Sequence, residues 1–272
     1  MINGRYGMYK KKGENLLDTL LAEAKTCFSL ADAQQKLGLP KNLVVKILST
    51  LRKKNKIIKL SKGYYAYFPP AEKKFGFNIL SALDQVMKHR ELPYFVGLLS
   101  AADYYGAAHH KPQVMQVVIP RQISFRKAKD LGISLHVQKQ FPKKGLVRIK
   151  TPQGYLWYSS PEYLVLNMLE YEQACGGIEN VVAIIKEMLP LLNDDALKQM
   201  ALEYPVAAVV QRLGYVLEKM NADKALLKIL IQVMHKRGAS VAKLSAVLPK
   251  KGTFESKWKI IQNTRLEMND DI

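Results

Sequence analysis

The chain has 272 residues, 48% of them hydrophobic and 24% charged, which suits a folded globular protein and argues against disorder. Its 42 Lys and Arg stand against 23 Asp and Glu, a net charge of +19, so the expected partner is a polyanion: nucleic acid first, an anionic membrane surface second. Two cysteines are too few for a disulfide framework or a zinc site, and no apolar run nears the roughly 20 residues that cross a bilayer.

The charge is uneven. Residues 1–75 hold 16 basic and 5 acidic side chains, residues 76–160 hold 12 and 4, and residues 161–272 hold 14 of each. The excess positive charge therefore belongs to the first two thirds of the chain. The last third is built to pack, or to meet a protein. With no leader-like start in view, the expected location is the cytoplasm.

Taken in order, residues 1–13 carry Arg5, Lys10, Lys11 and Lys12 among glycines, and read either as a frayed tail or as a basic arm that adds phosphate contacts. A helix is expected from Glu14 to Lys25, with Leu16, Leu17, Leu20, Leu21 and Ala24 on its apolar side. Ser29-Leu30-Ala31-Asp32 opens a second helix as a capped start, and Gly38-Leu39-Pro40 ends it. The next helix runs from about Lys41 to Lys54, and its Val44, Ile47, Leu48 and Leu51 fall on one stripe. The rest of that helix reads Lys41, Asn42, Val45, Lys46, Ser49, Arg52, Lys53 and Lys54, with no acid among them. Two β-rich runs, Ile57–Leu60 and Tyr64–Phe68, follow, joined by Ser61-Lys62-Gly63. This order spells a winged helix-turn-helix over residues 1–75.

Phe68-Pro69-Pro70 marks a boundary. Beyond it, residues 76–272 are expected to form a second domain of mixed antiparallel sheet and helices, giving an α+β protein overall. A helix spans Asn78 to Arg90, and another is closed by Gly106. Strands are expected at Val114–Pro120, Ile123–Phe125, Ser134–Val137, Val147–Lys150 and Tyr155–Tyr158. Helices then start at Pro161, Ile178 and Ala196, the last restarting or kinking at Pro205, and a further one covers Asp223–Lys236. Ser256–Asn263 reads as a final strand returning to the sheet.

Several of these pieces resemble the AbiEi family, the antitoxin component of type IV toxin–antitoxin systems linked to abortive phage infection. They are the N-terminal winged helix, Leu99-Ser100-Ala101-Ala102-Asp103-Tyr104-Tyr105-Gly106 before a strand ending Ile119-Pro120, and Tyr158-Ser159-Ser160-Pro161-Glu162 opening a helix that breaks at Gly176-Gly177. Lys257–Asn263 resembles the family's closing strand. The resemblance implies a transcriptional autorepressor that binds inverted repeats in its own promoter, and an antitoxin countering a nucleotidyltransferase-like toxin without a stable complex.

For binding duplex DNA, Lys41, Asn42, Val45 and Lys46 occupy the first turns of the basic helix, where side chains reach base edges in the major groove. Asn42 is suited to an adenine and Lys46 to guanine acceptors. Ser49, Arg52, Lys53 and Lys54 are placed for phosphates. Lys62 would touch the backbone or minor groove, with Lys59 and Tyr64 beside it. Tyr64, Tyr65 and Tyr67 also read as packing of the wing. A second basic surface is expected from Arg121, Arg126, Lys127, Lys129, Lys143 and Lys144, with Lys139, Arg148 and Lys150 in the same tract; it would meet DNA, RNA or an acidic protein. The bland alternative is a solvated helix face.

No catalytic constellation stands out. His109 and His110 are adjacent and lack further ligands at metal spacing, Gly176-Gly177 lacks the Lys and Ser/Thr of a phosphate loop, and Ser100 lacks the glycines of a nucleophile elbow. No enzyme, metal or cofactor is expected. Two other readings stay open: a regulator with a ligand-sensing second domain, and a nucleic-acid-processing enzyme targeted by its winged helix.

Overall fold

The computed structural model describes residues 2–23, 25–67, 80–108, 110–123, 132–151 and 154–266. The chain divides into two units, one of residues 1–93 with 122–133 and 150–156, the other of the remainder.

The first unit begins with α1 (Ile2–Ala22), β1 (Cys27–Ser29), α2 (Leu30–Leu37) and α3 (Lys41–Lys53). The strands β2 (Ile57–Ser61) and β3 (Tyr64–Tyr67) and helix α4 (Leu80–His89) complete it. Helix α1 starts near residue 2, so residues 2–13 are helical and not a tail. Gly13 serves a close helix crossing: a Cβ there would lie 3.1 Å from Leu51 Cδ2 and 3.4 Å from Ile47 Cγ2, both on α3. Leu16, Leu17 and Leu20 are buried as expected, whereas Leu21, 59% exposed, lies off that face. Ala24 lies outside the described residues.

Helix α2 starts where Ser29 and Asp32 cap each other. The Asp32 amide donates to Ser29 Oγ at 3.0 Å, and the Ser29 amide donates to Asp32 Oδ2 at 2.7 Å. Gly38 ends the helix at φ 59°. Val44, Ile47, Leu48 and Leu51 of α3 are buried with the α1 leucines, Phe28, Ala33, Ile57, Tyr65 and Tyr67 in one core. The three strands form an antiparallel sheet of order β1-β3-β2. Strand β1 was not legible from three residues; it exists because Cys27, Phe28 and Ser29 pair with Ala66, Tyr65 and Tyr64. Phe68 and residues 69–79 lie outside the described residues.

The cap gives a pH-dependent stability. Burial pushes the Asp32 carboxyl up, but the Ser29 hydrogen bonds outweigh it and hold the group below its ordinary value. A lowered carboxylate pKa stabilises the fold above the unfolded-state value near about 4 and loses that contribution as pH falls through the lowered value. Ser29→Ala should cost about 1 kcal/mol at pH 7 and less at pH 3, read as the gap between urea midpoints. An equal gap at both pH values would contradict this.

A five-stranded sheet of order β6-β5-β4-β8-β7 belongs mainly to the second unit. Its strands are β4 (Phe95–Val96), β5 (Met115–Ile119), β6 (Ile133–Val137), β7 (Leu146–Thr151) and β8 (Gly154–Ser159), with α5 (Leu98–Tyr104) between β4 and β5. The central strand β4 is two residues long, antiparallel to β5 and parallel to β8, so the sheet is mixed. The strand expected at Ile123–Phe125 falls largely outside the described residues.

Helices α6 (Pro161–Glu170), α7 (Ile178–Met188), α8 (Asp194–Glu203), α9 (Ala207–Lys219) and α10 (Lys224–Lys236) follow. Pro205 separates two helices rather than kinking one. Helix α6 is buried from Glu162 to Leu169, so it runs through the centre of the bundle. The expected closing strand needs correction. Only Ile260–Gln262 is extended, as β11, and it joins β9 (Ala242–Lys243) and β10 (Thr253–Glu255) in a separate small sheet of order β10-β11-β9. The cause is Trp258, which is fully buried against α9 at Gly214 and holds the segment there.

Candidate nucleic-acid interface

The 3.6-residue period that buries one stripe of α3 turns the opposite face outward. Lys41, Asn42, Val45, Lys46, Ser49, Arg52, Lys53 and Lys54 are all exposed. Pro40 precedes the helix at φ −64°, and its first turn carries no acid, so the positive end of the helix dipole stays uncompensated. Lys59 and Lys62 are exposed on β2 and its turn, where Gly63 takes φ 71°.

Three acids of this unit pair elsewhere. Glu14 pairs with Lys56 at 3.4 Å, Glu23 pairs with Lys36, and Asp84 pairs with Lys88 at 2.6 Å. The Lys36 hydrogen bond holds Glu23 below the ordinary carboxylate range. Among the described residues, no acid pairs with Lys41, Lys46, Arg52 or Lys53. Lys41, Lys46, Arg52 and Lys53 thus present one sign of charge with no described acid against them, which is the electrostatic form a phosphate backbone requires.

One residue sits differently from the expectation. Tyr64 is only 8% exposed, and its ring stacks on His89 with centroids 4.2 Å apart. Burial pushes its phenol well above the ordinary value, so Tyr64 packs inside the β2–β3 hairpin and is not part of the outer face. Asn42 is exposed, but its Oδ1 accepts the Leu43 amide N–H at 2.9 Å. The amide oxygen keeps a second lone pair beside the two donors of Nδ2.

Of the second basic tract, Arg121, Lys143 and Lys144 are exposed, and Lys144 pairs with Glu203 at 2.8 Å. Arg126, Lys127 and Lys129 lie outside the described residues. Lys143 and Lys144 border a cavity of about 270 Å³ walled by Phe141, Tyr163, Met200 and Tyr204. The phenols of its two tyrosines turn inward: Tyr163 donates to Gln138 Oε1 at 3.0 Å and Tyr204 to Glu170 Oε2 at 2.5 Å. Burial raises the Glu170 carboxyl.

Sequence reasoning missed a buried charge in α9. The Arg212 Nε donates to the Lys243 carbonyl at 2.9 Å, and its charge offsets those of Glu172 and Glu170. The lone arginine in Val209-Val210-Gln211-Arg212-Leu213 was the available signal. Burial pushes the thiols of Cys27 and Cys175 up to about 11 and about 12, so both stay protonated near neutral pH. Among the described residues, no group of three or more His, Cys, Asp or Glu is gathered for a metal, and no helix is long and apolar enough to cross a membrane.

A small helical unit with an exposed basic helix face, joined to a mixed sheet and helical bundle, defines a two-part protein of α+β class. Residues 95–219 match the AbiEi antitoxin C-terminal domain. The domain supports an antitoxin role in a toxin–antitoxin system. The chain is also similar to the crystal structure of the RV2827C protein from Mycobacterium tuberculosis, with 14% identity, 92% of this chain and 91% of that one covered, and a TM-score of 0.69. At that identity the likeness concerns the fold alone. No curated protein matches the chain.

Proposed function

We propose that this protein is an antitoxin that also represses its own promoter. Residues 1–75 act as a winged helix-turn-helix on double-stranded DNA, at inverted repeats, and residues 76–272 form the antitoxin domain. The toxin it counters is a nucleotidyltransferase-like enzyme, and protection needs no stable complex between the two. The protein acts in the cytoplasm and is not itself an enzyme. The observation that carries the DNA half is the exposed face of α3, with Lys41, Lys46, Arg52 and Lys53 unpaired by any described acid. The AbiEi domain over residues 95–219 supports the antitoxin half.

The two halves are separable by experiment. A full-length variant with Lys41, Lys46 and Arg52 all changed to Ala should lose retention of a promoter fragment in a gel shift. It should still rescue growth when the neighbouring toxin gene is induced. Loss of rescue together with loss of retention would tie protection to DNA binding, and retention unchanged would remove α3 as the contacting surface. The cavity beside Lys143 is the observation that favours a ligand-sensing regulator instead. In that case a small molecule would release the promoter in the absence of any toxin gene.

A further inference from the structure

The outer face of α3 is rich in donors. Lys41 and Lys46 carry only donors, as do Arg52 and Lys53 further along. Asn42 adds two donors and a second lone pair on its Oδ1, which accepts the Leu43 amide N–H at 2.9 Å. The Ser49 hydroxyl also has acceptor capacity. In the middle of these groups stands Val45, 44% exposed. A β-branched residue lowers helix propensity, and its exposure to water gains nothing for the fold.

Such a face discriminates among bases. In the major groove guanine shows acceptors at O6 and N7, and thymine shows an acceptor at O4 beside its methyl group. Cytosine shows a donor at N4, and adenine a donor at N6 beside its N7 acceptor, so a lysine finds two acceptors together only on guanine. The thymine methyl is the apolar group on these edges, and Val45 is the apolar side chain on this face. Resting on the DNA reading above, we infer that α3 reads a run of keto bases, guanine and thymine on one strand, with a thymine methyl seated against Val45. Lys46, one residue on, takes the guanine acceptors.

The test begins with selection of bound duplexes from a random pool by the full chain. Each thymine of the enriched site is then replaced by deoxyuridine, which removes only the methyl. The inference expects a site with consecutive G and T on one strand. One replacement should weaken binding about fourfold, the worth of one buried carbon. Val45→Ala should bind the thymine and deoxyuridine duplexes equally, while Lys46→Ala should relax the guanine preference and keep the methyl effect. An enriched site in which every thymine tolerates deoxyuridine would overturn the inference and leave DNA binding intact. Failure to enrich any duplex would overturn both.

Discussion

Reversing three charges on α3, with Lys41, Lys46 and Arg52 all changed to Glu, should abolish detectable promoter binding and leave the fold intact. A single truncation at a base-contacting position costs about 1–3 kcal/mol, and Lys46→Ala is expected within that range. Reversal goes further, since each acid now repels a phosphate. Three such losses come to at least about 3 kcal/mol, more than about a hundredfold in affinity, and repulsion adds to it. The three side chains are exposed and form no pair with a described acid, so thermal stability should move by no more than about 0.5 kcal/mol. The check is a fluorescence-anisotropy titration beside a melting curve. Lost binding with a large loss of stability would mean that unfolding, not charge, was measured.

The second large effect concerns Gly214. It sits in α9 with ordinary helical geometry, where alanine alone would be favoured by about 0.8–1 kcal/mol. A Cβ there, however, would lie 2.0–2.4 Å from the ring carbons Cζ3, Cη2 and Cε3 of Trp258. That ring cannot step aside. Its Nε1 donates to Glu218 Oε2 at 2.7 Å, and its backbone N–H donates to Glu255 Oε2 at 2.8 Å. Overpacking of a well-filled core costs about 1–3 kcal/mol and more against a fixed ring, so Gly214→Ala should destabilise by about 3 kcal/mol. Trp258→Ala alone should cost about 3–5 kcal/mol. The double variant should be less destabilised than the two losses added, because the alanine then has room. Urea unfolding of the four proteins reads this coupling. An alanine variant as stable as the parent would show that the ring is not held.

These residues also show what could and could not be read in advance. The repeating stripes of α3 and α6 were legible because burial follows the helical period, and the Ser29–Asp32 cap because its bonds span only three residues. Trp258 and Gly214 meet across 44 positions of sequence, and no local pattern couples a tryptophan to a glycine that distant. The same limit hid β1 and the two-residue β4, which exist only through their pairing partners. At the candidate interface the exposed lysines were legible as the polar complement of the α3 stripe. The withdrawal of Tyr64 was not, since its partner His89 lies on a different helix.

The central claim is that the outer face of α3 meets DNA by charge and shape. The most direct measurement is the salt dependence of binding to the protein's own promoter fragment, for the parent and for Lys46→Ala. The parent should bind with log affinity falling linearly against log salt, and the variant with a slope smaller by up to about 0.9 if that lysine holds a phosphate. It should keep the slope and lose sequence preference if Lys46 reads a base. A variant that matches the parent in affinity, slope and preference would contradict the account.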